Sequence, residues 1–99
     1  MNTAAQLHTI ADKKNAEMSS KVQHAMQRIR SFAAMAAEQG LYEVFLPYVS
    51  IFEDYVNNVT EVHEAFQNTR KAVFMKCKEE GFGIELGMNA LGRGWLLTW

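Results

Sequence analysis

The fold of this chain is decided by residues 3–39, which read TAAQLHTIADKKNAEMSSKVQHAMQRIRSFAAMAAEQ. Ala, Met, Gln, Lys and Glu dominate the stretch, and neither Pro nor Gly interrupts it before Gly40, so it is predicted to form one long helix. Such a helix is roughly 55 Å long, whereas a compact chain of this size has a radius of gyration of roughly 13 Å. Part of the helix is therefore expected to extend past the rest of the protein.

The apolar side chains of this helix fall into two groups. From Met18 onward they recur at steps of four and three, which is a heptad pattern: Met18, Val22, Ala25, Ile29, Phe32 and Ala36. Leu7 and Ile10 form a smaller patch nearer the start. A patch on an overhanging helix needs cover, and a second copy of the chain is the simplest partner. We therefore expect a homo-oligomer with an interface formed by Leu7, Ile10, Met18, Val22 and Ile29.

The alternative is a broken first helix. Residues 12–15, Asp-Lys-Lys-Asn, are polar and separate the two apolar groups. If they bend or fray the helix, the Leu7 and Ile10 patch folds back on the body or stays solvated, and the case for an oligomer weakens.

Composition limits the possible classes of protein. The 99 residues are 48% hydrophobic with a formal charge of -1, which indicates a single domain over residues 1–99 and makes nucleic acid an unfavoured partner. No apolar run is long enough to span a membrane, and the polar start does not resemble a signal peptide, so we expect a cytoplasmic protein with no membrane partner. Cys77 is the one cysteine, and it fits a reducing compartment.

Residues 41–99 are predicted to form a small α/β body. Strand-forming residues run over 41–46 and stop at Pro47, and helical turns over 51–56 are preferred to a strand there. A second helix is expected between a cap at Asn58 and a stop at Gly81. Alternation in residues 82–99 then predicts a hairpin with its turn over Met88 to Arg93, and with turn and bulge glycines at 83, 87, 92 and 94. The predicted class is α+β, in the order α-β-(short α)-α-β-β.

The sequence shows no constellation of residues that indicates catalysis. His63 and Glu64 are adjacent, but a third group to orient them is missing, so we do not expect an enzyme. His8 and His24 are separated on one helix by more than roughly 20 Å and cannot share a metal within a chain. No metal site and no cofactor are predicted.

A second set of residues carries the predictions of ligand or partner contact. Arg28, Arg70 and Arg93 are able to bind an anion, and Tyr48 and Tyr55 belong to an aromatic segment that would suit a pocket. The simpler interpretation of the aromatic residues is that they build the core. Lys21 and Arg30, together with Arg28, would form a basic patch, although charged residues on the polar side of a helix are normally solvated.

The order of elements resembles a loose set of small uncharacterised viral proteins, many of them from bacteriophages. The shared features are a long helix leading through residues 29–40 to a glycine, a strand at 41–46, a helix closing on Gly-Phe at 77–82, and a final hairpin ending in Leu97-Thr98-Trp99. The resemblance implies a phage accessory protein that acts in the host cytoplasm on a host protein. It supplies no functional residues.

Three hypotheses about function follow. The preferred one is a non-enzymatic accessory protein that homo-oligomerises through its N-terminal helix and binds or inhibits a host factor, such as one used in defence. The second is an oligomeric sponge that sequesters a small nucleotide signal at pockets between subunits. The third is a nucleic-acid-associated accessory protein.

Overall fold

A computed structural model describes residues 4–53, 55–56 and 58–99, with only the backbone given for 9–19 and 58–59. It confirms the α+β class. The described elements are α1 (Ala4–Glu38), β1 (Glu43–Pro47), α2 (Tyr48–Ile51), α3 (Asn58–Glu61), α4 (Glu64–Glu79), β2 (Gly83–Asn89) and β3 (Gly92–Thr98). Within these ranges, no helix combines the length and the apolar character needed to cross a bilayer.

Helix α1 runs unbroken for 35 residues, so the polar residues 12–15 do not end it. It ends at Gly40, which has a φ of 83°. The N–H of Gly40 donates to the Ala37 carbonyl at 2.9 Å, and the N–H of Leu41 donates to the Ala36 carbonyl at 3.0 Å. This is the Schellman pattern, which needs a residue with positive φ and therefore favours glycine.

Helix α4 ends in the same way as α1. Gly81 has a φ of 91°, and the N–H groups of Gly81 and Phe82 donate to the carbonyls of Lys78 and Cys77, both at 3.1 Å. Both predicted glycine stops are therefore confirmed, each by the same local hydrogen bonds.

Among the described side chains of α1, those that pack on the body lie in its C-terminal half. Its buried or half-buried side chains form a stripe wider than a heptad seam, because neighbouring positions such as Ala25 and Met26 are both buried. The stripe lies against α4, β1 and α2. The molecule measures 57 × 27 × 17 Å, and α1, at about 52 Å, nearly spans its longest dimension. Side chains 4–8 are exposed, so the start of α1 lies away from the body.

The sheet is antiparallel, with strand order β1-β3-β2. The central strand β3 contributes Trp95 and Leu97, which are 1% and 0% exposed and lie on the face that packs against the helices. Leu46 of β1 and Leu86 of β2 are the register partners of Trp95 on that face. The core therefore lies between this face of the sheet, α4 and the second half of α1.

Two predicted boundaries are wrong. The short helix lies at Tyr48–Ile51 instead of residues 51–56, because it begins directly after Pro47, whose φ of -67° and extended ψ suit the residue before a helix. The strand is Glu43–Pro47 instead of residues 41–46; Pro47 fits because β1 is an edge strand.

The predicted second helix is two helices. Its first turn, α3, stops at Glu61, and His63 takes an extended conformation (φ -73°, ψ 130°) as the cap of α4. The predicted cap at Asn58 therefore begins α3 and not the long helix. The segment around this break is short and polar, and its apolar period is weak. The sequence pattern alone therefore does not show that the helix is broken there.

The hairpin is present, but its turn is tighter than predicted. Only residues 90–91 separate the two strands, Asn89 Oδ1 accepts a 2.8 Å hydrogen bond from the N–H of Leu91, and Gly92 has a φ of 117°. Gly92 is thus a turn glycine, as predicted. Gly87 and Gly94 face each other in regular pairing, so they are not bulge glycines.

Gly94 is required for a different reason, which is the close approach of β1. A Cβ atom at this position would lie 2.2 Å from the Leu46 carbonyl oxygen and 2.5 Å from the Pro47 Cα atom. Both are backbone atoms of a paired strand, so neither can move without breaking the ladder. At Gly87 a Cβ atom would instead meet the ring of Phe45 at 2.9 Å, and a side chain can shift.

We therefore expect Gly94→Ala to destabilise the fold by about 2–3 kcal/mol, as overpacking against fixed atoms does, and Gly87→Ala to cost about 1 kcal/mol or less. Urea denaturation of the two variants, followed by tryptophan fluorescence, measures both free energies of unfolding. If both variants lose the same free energy of unfolding, the close approach of β1 is not the reason why glycine is needed at Gly94.

Candidate interaction surfaces

The residues of the predicted oligomer interface differ in their exposure. Leu7 is 54% exposed near the start of α1, whereas Ile29 is 0% exposed. Val22 is half-buried and packs against the core of its own chain. The side chains of Ile10 and Met18 lie outside the described residues. Ile29 is therefore a core residue of its own subunit and has no surface left for a second copy, because the described part of the heptad seam faces the body.

The two predicted contact tyrosines are core residues. Tyr48 is 1% exposed and Tyr55 is 8% exposed. Their rings lie 5.7 Å apart, and both meet the ring of Phe66. Both tyrosines are therefore core residues, and the aromatic segment builds the core.

The three predicted anion-binding arginines lie at different places. Arg28 donates to the carboxylate of Glu53 at 2.8 Å, and Arg93 lies 3.9 Å from the carboxylate of Glu61. The Arg70 guanidinium lies over a ring of the aromatic core, 5.8 Å from the centroid of Tyr48. Each arginine therefore already has a partner within the chain, and the three do not converge on one ligand.

Glu61 is the centre of a small polar cluster beside the core. Its side chain is 11% exposed, it accepts a 3.4 Å hydrogen bond from the Tyr55 hydroxyl, and Arg93 approaches it from β3. Burial raises the pKa of Tyr55, and the Glu61 carboxylate raises it further. Through this contact Arg93, whose side chain is 66% exposed, links β3 to the end of α3.

The predicted basic patch on α1 is largely neutralised. Arg28 is paired with Glu53, and Arg30 forms an ion pair and hydrogen bond with Glu80. Counterion release from nucleic acid requires cations that are available to phosphates. The geometry of these two arginines therefore does not favour nucleic-acid binding by this face.

The outer edge of β2 is an apolar surface that the sequence patterns did not reveal. Leu86 and Met88 are 77% and 74% exposed, and Leu91 in the adjoining turn is 67% exposed. Among the described strands β2 pairs only with β3, so its other edge is open. Edge strands are normally protected by charge or proline, and β2 carries one charge, Glu85. Alternation predicted one apolar face here, but not that the helices cover Ile84 and leave Leu86 and Met88 exposed.

Comparison with known proteins does not assign these surfaces. No family model, no curated protein and no solved structure matches this chain. Among the side chains that the structure describes, no three His, Cys, Asp or Glu residues are grouped so as to hold a metal ion. The surfaces are therefore assigned from the geometry of the chain itself.

Cys77 is the chain's single thiol, and it is inaccessible. It is 0% exposed, and its Sγ atom lies 3.8 Å from the Met26 sulfur, between α4 and α1. Burial, together with the nearby Glu80 carboxylate, raises the pKa of this thiol to about 11. Since the thiolate is the nucleophile, Cys77 is not suited to attack a substrate.

We expect Cys77 to resist Ellman's reagent near pH 8 in the native protein and to react at once when the protein is unfolded in guanidinium chloride. Because the pKa is raised by folding, the stabilisation is complete below the pKa of the unfolded thiol and is lost as the pH rises toward about 11. Rapid labelling of the native protein would show that α1 does not cover this site.

Proposed function

We propose that this protein is a non-enzymatic interaction protein that self-associates through the N-terminal half of α1 and binds a second protein at the edge of β2. The observation that carries the proposal is the shape of the chain. A helix of about 52 Å belongs to a molecule only 27 Å and 17 Å across its shorter axes. The start of α1, where side chains 4–8 are exposed, is thus presented away from the body.

Self-association is supported by what this half of α1 exposes. Leu7 is 54% exposed, and the described side chains around it, residues 4–8, are exposed as well. When two copies of a straight amphipathic helix pair about a two-fold axis, each contact between them occurs twice. A helix pair is therefore the arrangement that covers this side chain most simply.

Binding of a second protein is supported by the edge of β2. An extended segment of a partner can add to an open strand edge through main-chain hydrogen bonds, and exposed side chains beside the edge then give specificity. Leu86 and Met88 alternate along β2 on one face and supply such side chains. The resemblance to small phage proteins favours a host protein as this partner and the host cytoplasm as the location.

We expect Leu7→Glu to convert the oligomer to a species of 11.3 kDa, because two carboxylates cannot be buried in the helix pair without partners. Size exclusion coupled to light scattering measures the mass. Met75→Glu is the matched control, since Met75 is also 54% exposed and on a helix, but on α4. A wild-type mass of 11.3 kDa at every concentration, or the same dissociation in Met75→Glu, would contradict self-association through α1.

The double variant Leu86→Lys/Met88→Lys is expected to lose a protein that co-purifies with the wild type from bacterial lysate, because lysines protect a strand edge from pairing. Circular dichroism and the oligomeric mass should stay unchanged, since both side chains are about three-quarters exposed. The matched control is Val49→Lys, at a 47% exposed position away from β2. If the partner still co-purifies with the double variant but not with Val49→Lys, the binding site does not lie on β2.

A further inference from the structure

We propose that a groove within a single subunit, between α1 and residues 51–53 and 60–69, binds a planar aromatic anion. The groove has a volume of about 640 Å³. Sites for small ligands commonly measure about 300–1,000 Å³ and combine an apolar floor with a few polar groups. This site is separate from the α1 and β2 surfaces, so it does not rest on the proposed self-association.

The floor of the groove is aromatic. Phe52 and Phe66 line it, and they are 6% and 8% exposed. Their centroids lie 5.1 Å apart with the ring planes at 78°, and each ring also packs against Tyr48. Because the core holds both rings, the floor is formed before any ligand arrives. A flat apolar body would gain burial and ring contacts on it.

The rim of the groove is rich in hydrogen-bond donors. Lys21 and His24 of α1 line one side, and His63, which caps α4, lines the other. Glu53 is the acidic side chain among the described lining residues, and Arg28 already balances its charge at 2.8 Å. An ammonium group and two imidazoles facing an aromatic floor suit a ligand with a negative group at the edge of a flat ring system.

This chemistry is shared by nucleotides and by simple aromatic acids. In both, a planar ring would lie on the phenylalanine floor while a phosphate or carboxylate meets Lys21 and the histidines. The lining residues that the structure describes all come from a single subunit, so the site differs from a pocket between subunits. A monomeric variant should therefore still bind.

The test compares two fluorescent probes of similar size. 8-Anilinonaphthalene-1-sulfonate is an aromatic anion, and N-phenyl-1-naphthylamine lacks the sulfonate. We expect the anionic probe to bind about tenfold more tightly than the neutral one, and Lys21→Gln with His63→Gln to abolish the difference, which is about 1.4 kcal/mol. Equal affinities for the two probes in the wild type would overturn the proposal.

A second pair of variants locates the bound probe. Ser20→Trp should fill the groove and weaken the anionic probe by about tenfold or more, whereas Ala34→Trp, at an exposed position of α1 outside the groove, should not. Both positions are exposed, so both variants should fold, and circular dichroism checks this. Unchanged binding in Ser20→Trp would overturn the assignment, and so would loss of binding in the monomeric Leu7→Glu variant.

Competition separates the two sources of ligand. 2-Naphthoate should displace the anionic probe and shift the imidazole Cε1 resonances of His24 and His63 in NMR spectra. If adenosine monophosphate displaces the probe at lower concentrations than 2-naphthoate, the site is suited to nucleotides; if it does not, the site is suited to simple aromatic acids. A probe that 2-naphthoate cannot displace would overturn the proposal.

Discussion

Edge-to-face packing around the ring of Tyr48 holds the body of this protein together. The ring is 1% exposed and meets Trp95, Phe66 and Phe52 at centroid distances of 5.5, 5.9 and 5.9 Å. These partners come from the central strand, from α4 and from the residue that follows α2. Each such pair adds about 0.5–1.5 kcal/mol beyond the burial of apolar area. A single side chain thus joins parts of the chain that are distant in sequence.

The same cluster connects the core to the groove. Phe52 and Phe66 contact Tyr48 on one side and line the groove on the other, so a ligand would lie directly on core side chains. Described residues between α2 and α4, such as Phe52 and Thr60, line one side of this site. Polar contacts from Tyr55 to Glu61 and from Glu61 to Arg93 link this part of the chain to the sheet. The ring contacts that make the core rigid therefore also fix the shape of the groove.

Packing, rather than charge, decides how far α1 follows the body. Two ion pairs, Arg28 with Glu53 and Arg30 with Glu80, lie beside the packed half, but surface pairs of this kind contribute about 0–1 kcal/mol each. The fully buried side chains of Met26 and Ile29 contribute more, at about 1.5–3 kcal/mol each. At the other end of α1, the described side chains 4–8 are exposed and make no part of this stripe.

Local signals in the sequence determined the α+β class, the long helix, the glycine stops at Gly40 and Gly81, and the final hairpin, because each depends on residues only a few positions apart. Only the tertiary structure decided the break at His63, the need for glycine at Gly94, and the burial of Ile29 and Tyr48. A periodic pattern shows which side chains share a face, whereas the elements that cover that face come from elsewhere in the chain. For the same reason, the exposed edge of β2 and the groove beside α1 became visible only in the assembled fold.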